Sequence, residues 1–417
     1  MTNLKEYKLS KLYKINSGIS TSASQAGHGS AFVSFSTIFN NYYLPDIIED
    51  LMETTEKEQQ TYSVKKGDVF LTRTSETIDE LAMSCVSLQD YPETTFSGFA
   101  KRLRPIQTDK TYDKFMAFFF RSSYFRRIIN NHTNMTLRAS FNEDIFSYIN
   151  FFLPAYKQQV KSGDLLFSIK QKMITNEKIN VLLLKKIKLM YEKWFVYYEF
   201  PNAMGGMYKA EGGELQYNKR AMRNIPTIFH KICISDLMIL GEEKMNPQDY
   251  PSEMFCHYSI PSYDKYGIYL EEKGNDIKSE KYVVKNSDIL VSKLNPRFNR
   301  VIIPLENRNT ISSTEFVIWR CDSKSIRNFL FAVAKSDEFI NYCISNATGT
   351  SNSHKRIDPT LMTEFPVYAN MEYINLFGEN IGLLVEKYLK NKEENLVLEH
   401  TIDTLVPLFV SGQAEMK

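Results

Sequence analysis

Two stretches decide the reading: Tyr62-Ser-Val-Lys-Lys-Gly-Asp-Val-Phe-Leu-Thr-Arg73 and Tyr282-Val-Val-Lys-Asn-Ser-Asp-Ile-Leu-Val-Ser-Lys293. They align without a gap at an offset of 282 − 62 = 220. Tyr62 matches Tyr282, Val64 matches Val284, Lys65 matches Lys285 and Asp68 matches Asp288. Apolar Val69, Phe70 and Leu71 match Ile289, Leu290 and Val291. Each copy reads as a turn carrying an Asp, a short buried strand, then a hydroxyl and a cation at the strand end. Further on, Arg121-Ser122 with Phe125 matches Lys335-Ser336 with Phe339, on segments whose periodicity predicts helices over 114–130 and 325–344. The chain is an internal repeat. Strands are also predicted at 30–36 and 301–304.

Working outward, each copy is followed by a long helical pattern. Ile169, Met173, Asn176, Asn180, Leu183, Ile187, Met190 and Trp194 are spaced alternately by four and three residues. Leu384, Tyr388, Asn391, Asn395, Leu398, Ile402, Leu405 and Phe409 repeat that spacing at an offset of 384 − 169 = 215. A sustained period of 3.5 is a coiled-coil seam. The two polar seam positions recur as well, Asn176 and Asn180 against Asn391 and Asn395, and a buried Asn sets register or partner choice. Pro407 is expected to end or kink the second helix and to release Phe409 from the seam.

The fold class that follows is α+β: two globular halves of mixed helix and strand, alternating with two long helices. The divisions are 1–155, a helix over 156–198, a Pro- and Gly-bearing linker over 199–220, 221–367, and a second helix over 368–417. A length of 417 residues suits two or three domains. Hydrophobic residues at 43% and aromatics at 13% supply packed cores and exclude global disorder. Net charge is 51 − 49 = +2, which marks no strongly basic protein and leaves local basic patches open. No apolar run approaches the ~18 residues of a membrane span. Met1-Thr2-Asn3-Leu4-Lys5 lacks the apolar core of a secretory signal, so a cytoplasmic location is expected.

The search for catalytic chemistry returns little. Cys85, Cys233, Cys256, Cys321 and Cys343 are odd in number, scattered and without a CxxC, which argues against a disulfide framework or a zinc ribbon. Cys256-His257 is adjacent rather than metal-spaced and reads as a buried thiol beside a surface imidazole. Asn295-Pro296-Arg297-Phe298 superficially resembles the Asn-Pro-Pro-Tyr box of amino-methyltransferases but fails at its third position, and no glycine-rich cofactor turn accompanies it. No P-loop and no GxSxG occurs. A binding subunit fits better than an enzyme, and no metal or catalytic residue is assigned.

Basic and polar residues cluster at matched places. In the first half these are Arg73 and Ser75 after the repeated strand, Lys101, Arg102 and Arg104, and Arg121 on a helix. In the second they are Lys293, Asn295, Arg297 and Arg300 after the matching strand, with Lys355 and Arg356 in the loop from Ser351. Arg and Lys neutralise phosphates, and Arg and Asn can read base edges. Recurrence at corresponding ends of both halves points to DNA. Lys101, Arg102 and Arg104 are expected to contact phosphate.

With the repeat in hand, the chain resembles the specificity subunit of type I restriction–modification enzymes over essentially its whole length. Lys66-Gly-Asp-Val-Phe-Leu-Thr-Arg-Thr-Ser-Glu76 looks like a segment of that family's target recognition domains. Phe152-Leu-Pro-Ala-Tyr-Lys-Gln-Gln-Val160 resembles the opening of its conserved helix, with Lys157 before Gln158 loosening the pattern. Trp194-Phe-Val-Tyr-Tyr-Glu-Phe-Pro201, with Tyr208 and Gly212-Gly-Glu-Leu215, resembles the end of its central conserved region. Leu408-Phe-Val-Ser-Gly412 resembles its C-terminal ending, whereas Phe365-Pro-Val367 lacks the Glu-Gln pair.

The resemblance implies that 1–155 and 221–367 are target recognition domains, each reading one half of a split double-stranded DNA target. It implies that the helices pack antiparallel and dock two methyltransferase subunits, with a restriction and translocation subunit joining them. S-adenosylmethionine then belongs to the methyltransferase, ATP and Mg to the restriction subunit, and no cofactor to this chain. From Ile169 to Trp194 a helix rises roughly 38 Å, close to the ~34–36 Å of one DNA turn. A heptad inserted into the first helix is expected to lengthen or abolish the accepted gap between half-sites. Two readings of other classes remain at this point: an unrecognised nuclease or fused modification enzyme, and a coiled-coil adaptor that binds protein only.

Overall fold

The computed structural model describes residues 4–75, 80–132, 139–202, 205–305, 308–349 and 354–416. The chain divides into two units, Met1–Ile174 with Leu396–Lys417, and Thr175–Asn395.

The first unit is built on a four-stranded antiparallel sheet. Its order is Tyr13–Ser17, Ala100–Pro105, Val69–Thr72, Ser84–Val86. The repeated strand Val69–Thr72 is buried at every residue, so Val69, Phe70 and Leu71 form an unbroken apolar run rather than an alternating one. Helices Asp113–Phe119 and Ser123–His132 bring Phe119, Phe120 and Phe125 into the core, and Phe151 joins from the strand Asn150–Leu153. Phe120 meets Phe125 edge-on at 4.8 Å between ring centres. Lys5–Lys8 pairs antiparallel with Asn150–Leu153.

The second unit repeats this plan. Ile239–Leu240, Phe316–Arg320, Asp288–Ser292 and Val301–Ile302 form an antiparallel sheet of the same order. Helices Lys324–Ala334 and Asp337–Ser345 take the matching places, and His230–Cys233 pairs with Pro366–Ala369. The units differ in their second sheet. It has three strands in the first unit (Leu51–Met52, Ala26–Val33, Thr95–Phe96) and five in the second.

Each predicted helix over 114–130 and 325–344 is two helices, broken at the repeated Arg121-Ser122 and Lys335-Ser336. The serines explain the break. Ser122 Oγ accepts from the Phe125 N–H at 3.2 Å, and Ser336 Oγ accepts from the Phe339 N–H at 3.3 Å. Each serine closes the preceding helix in a tighter turn, its N–H donating to the carbonyl of Phe119 or Val333 three residues back, and caps the helix that follows. The strand predicted at 30–36 is shifted to Ala26–Val33, because Ser34 caps the helix Phe35–Asn40.

The central helix runs Tyr156–Tyr191 and ends in a π-helical turn, Glu192–Val196. The C-terminal helix runs Gly382–Val410, so 368–417 is not one helix: Met371–Asn380 is a separate helix ahead of it. Within the second unit, Asn176 Nδ2 donates to Asn395 Oδ1 at 2.8 Å, and Asn391 Nδ2 donates to Asn180 Oδ1 at 2.9 Å. The pairs share one sum, 176 + 395 = 180 + 391 = 571, and a constant sum is the mark of antiparallel strands of a coil. All four amides are buried. Glu394 accepts a second bond from Asn176, and Glu177 accepts one from Asn395. Leu183, Ile187, Met190, Trp194, Leu384 and Tyr388 join this unit's core. In the first unit Ile169, Met173, Ile402 and Leu405 join the other core, and Lys170 pairs with Glu399 at 3.3 Å. Leu398 is only half-buried.

Pro407 neither ends the helix nor releases Phe409, which is buried. It stands exposed in the last turn, where its missing N–H forfeits one bond and only three helical residues follow. Nor is 199–220 an open linker. Phe200 stacks on Tyr208 at 4.6 Å and on Phe229 at 4.7 Å, and Leu215–Asn218 pairs with Arg223–Pro226. Aromatic burial tethers a stretch whose glycines read as loop. His257 is buried, its Nδ1 2.6 Å from Glu272 Oε2, while Cys256 is half-buried, the reverse of the sequence expectation. Burial pushes the His257 pKa down against the pull of Glu272. No helix among the described residues is long and apolar enough to cross a membrane.

Candidate nucleic-acid interface

The repeated turn and strand build the same device twice. Asp68 Oδ2 accepts the Lys65 N–H at 2.8 Å, and Asp288 Oδ2 accepts the Lys285 N–H at 2.7 Å. Each Asp is fully buried and then holds an arginine from the neighbouring strand through two bonds. Arg104 reaches Asp68 at 2.7 and 2.6 Å, and Arg320 reaches Asp288 at 2.9 and 3.0 Å. The bond to Asp288 raises the pKa of Arg320.

At the other end of the strand the cation is presented in the same way in both units. The Arg73 N–H donates to the Phe99 carbonyl at 2.8 Å, and the Arg73 carbonyl accepts from the Phe141 N–H at 2.8 Å. The Lys293 N–H donates to the Glu315 carbonyl at 3.0 Å, and the Lys293 carbonyl accepts from the Ile357 N–H at 3.1 Å. The partners correspond: 315 − 99 = 357 − 141 = 216. Arg73 is exposed and Lys293 half-buried. Glu76, which could pair with Arg73, lies outside the described residues.

In the second unit these bonds gather one basic surface. The Asn295 N–H donates to the Lys355 carbonyl at 2.8 Å, and Leu294 bridges to Arg356. Lys293, Asn295, Arg297, Lys355 and Arg356 therefore stand on two segments hydrogen-bonded to each other, and Arg297, Lys355 and Arg356 are exposed. Arg356 is held by Glu315 through bonds of 3.1 and 3.0 Å, which raise its pKa. Ser351 to Ser353 lie outside the described residues. Asn295 and Asn299 both have left-handed backbone, φ 49° and 41°, and bracket the turn Pro296–Phe298. Asn tolerates that conformation better than most residues. Arg297 and Arg300 each place a guanidinium 4.7 Å from the Phe298 ring centre.

Six of the residues expected at DNA are buried or engaged by groups of the protein itself. Lys101 is buried, donating to Ser17 Oγ at 2.7 Å. Arg102 is buried, bonded to the Ser63 carbonyl and lying 5.2 Å from the Phe96 ring centre. Burial lowers its pKa, and the neighbouring Arg104 adds to the effect. Arg104 neutralises Asp68. Ser75 is buried, 3.5 Å from Glu80. Arg300 is buried against Asp264 at 2.6 and 2.7 Å. Arg121 donates to the carbonyls of Ser84, Ile38, Phe39 and Asn41, and burial lowers its pKa. A guanidinium already satisfied by the protein has no fork left for a phosphate. Its counterpart Lys335 donates to the Asn299 carbonyl at 3.2 Å, and burial beside Lys392 brings its pKa down to about 8.

Arg121→Ala is therefore expected to destabilise the first unit by about 3 kcal/mol, because several buried carbonyls lose their donor. Urea unfolding measures this. A variant of unchanged stability whose DNA binding has become less salt-sensitive would restore Arg121 to the interface.

Among the described residues no cluster of His, Cys, Asp and Glu could hold a metal ion. No family model matches the sequence, and no curated protein matches it. Solved structures do. A type I restriction–modification system S subunit from M. genitalium is 11% identical over 97% of this chain and 95% of that chain, with a TM-score of 0.59. An HsdS subunit from Thermoanaerobacter tengcongensis is 10% identical over 99% and 97% of the two chains, at a TM-score of 0.33. A chain from a structure concerned with assembly and conformational transition of the type I R-M system is 10% identical over 98% and 97%, at 0.35. The M. genitalium likeness carries the argument, and with the duplicated α+β units and paired helices it gives the conclusion: this chain has the fold of a type I restriction–modification S subunit.

Proposed function

We propose that the chain is a non-catalytic specificity subunit, binding a bipartite, asymmetric target in double-stranded DNA for an adenine-N6 methyltransferase and a restriction subunit. The observation that carries this is the pair Arg73 and Lys293, held at the ends of matched strands by corresponding backbone bonds. Duplication of the cation's mount, with divergence of the second sheet around it, suits two readers of two different half-sites. In the second unit the DNA-facing set is Lys293, Asn295, Arg297 and Lys355, Arg356 being already paired with Glu315. The central helix leaves Val181, Leu182 and Leu189 exposed, away from the seam, and these are the proposed seat of a methyltransferase subunit. S-adenosylmethionine, ATP and Mg act in those partners.

The test is methylome sequencing of cells carrying this chain with its methyltransferase. The expected result is N6-methyladenine in a motif of two unequal halves separated by an unread gap. A short continuous motif, or methylation independent of this chain, overturns the proposal. A second expectation concerns the matched cations. Replacing Arg73 and Lys293 together by Gln removes two phosphate-range charges, so the slope of log affinity against log salt is expected to fall by about 2. Fluorescence anisotropy across a salt series reads it, and an unchanged slope removes both residues from the interface.

A further inference from the structure

Resting on the DNA-binding reading above, we propose that Phe99 and Phe298 are apolar base contacts, one in each unit, seated against the bases of a half-site beside cations that hold its phosphates. The sequence has 28 phenylalanines, and among the described residues only Phe99, Phe152 and Phe298 are largely exposed. Phe99 is 67% exposed and Phe298 52%. Fully burying such a ring stabilises a protein by roughly 1.5–3 kcal/mol, so rings left in water by a rigid backbone call for an occupant.

The backbone that carries each ring is firmly tied. The Phe99 N–H donates to Ser97 Oγ at 3.2 Å and its carbonyl accepts from Arg73. The preceding Gly98 lies so close to the Ile19 carbonyl that a Cβ there would stand 2.9 Å from its oxygen. Phe298 projects from the turn between the two left-handed asparagines. That turn is pinned by Asn299 Nδ2 to the Ala334 carbonyl at 3.1 Å, by Lys335 to the Asn299 carbonyl, and by Arg300 to Asp264. A backbone held this way loses little freedom on binding.

Their neighbours say what they meet. Phe99 adjoins Arg73, and Phe298 stands beside Arg297, on the surface that carries Lys293 and Lys355. A polyanion is drawn to such a surface, yet an apolar ring gains nothing from phosphate. What DNA offers a ring at that place is base surface: a thymine methyl in the groove or the face exposed at an opened base step. The contact is therefore sequence-dependent and uncharged.

That combination separates the rings from the cations experimentally. With the methyltransferase-bound complex, anisotropy is measured on the duplex identified by the methylome and on a scrambled duplex, over a salt series. Phe99→Ala and Phe298→Ala are each expected to weaken target binding about tenfold, with the salt slope and scrambled-duplex affinity unchanged. Phe298→Tyr, which keeps the ring, is expected to restore binding, and Phe152→Ala to bind as wild type. Uracil for thymine in the half-site, or 2-aminopurine fluorescence away from the methylated adenine, then tells a methyl contact from an opened step. Alanine variants that discriminate target from scrambled duplex as well as wild type overturn this inference alone. So does equal weakening on both duplexes, or loss of methyltransferase co-purification with DNA affinity intact. A wild-type complex that cannot tell the duplexes apart overturns the DNA reading and this inference with it.

Discussion

Asp288→Ala is expected to destabilise the second unit by about 3–5 kcal/mol, the scale for breaking a buried ion pair from one side. Asp288 has no exposed surface and performs two tasks with one carboxylate. It accepts the Lys285 N–H, which closes the turn before the strand, and it holds Arg320 through two bonds. Alanine removes both and leaves a guanidinium that is 17% exposed with only a longer bond, 3.3 Å, to the Val283 carbonyl. Asp68→Ala is expected to cost less. Arg104 is 29% exposed and keeps a 2.8 Å bond to the Ser63 carbonyl, so water and that carbonyl take up part of the charge. Both tryptophans, Trp194 and Trp319, lie in the second unit, so their fluorescence follows its urea unfolding directly. An Asp288→Ala midpoint equal to wild type would show that the pair contributes nothing.

Ile187→Asp is expected to be comparably severe, about 4 kcal/mol or more, through loss of a buried side chain and burial of a charge. Ile187 is 1% exposed, in a core shared with Tyr191, Phe329 and Phe377. The new carboxylate would be buried among apolar and aromatic side chains, which disfavour its charged form. Leu398→Asp, at an equally regular seam position, is expected to cost only about 1–2 kcal/mol, because Leu398 is half-buried and its carboxylate would reach water. Circular dichroism during urea unfolding compares the two. Equal losses would contradict this ranking and mean that the seam is uniformly dry.

The repeat, the paired helices and the asparagine layers were legible because each rests on local periodicity. A seam of alternating four and three steps can bury only one face of a helix, and the repeated asparagines meet across it, Asn176 with Asn395 and Asn180 with Asn391. The turn aspartates were legible too, since Asp68 and Asp288 bond an N–H three residues away. Helix breaks at Ser122 and Ser336 were present as cap residues, but periodicity of the flanking apolar residues ran across them.

Which cations face solvent was decided by tertiary structure. Lys101, Arg102 and Arg104 look like a basic patch in sequence. Yet they lie on Ala100–Pro105, a strand between Tyr13–Ser17 and Val69–Thr72, and their partners Ser17, Ser63 and Asp68 come from other segments of the chain. A charge is buried or exposed according to what the fold brings to it, and no local pattern records a partner 36 residues away. The same holds for Arg121 and its four carbonyls, and for Phe200 in its supposed linker. By contrast the matched placement of Arg73 and Lys293 was legible, because the strand that ends in them is itself repeated. The sequence by itself determined two copies, their order and the face on which their helices meet. Only the tertiary structure decided which charges the fold neutralises within itself and which it leaves at the surface, because burial and charge pairing depend on distances in space rather than along the chain.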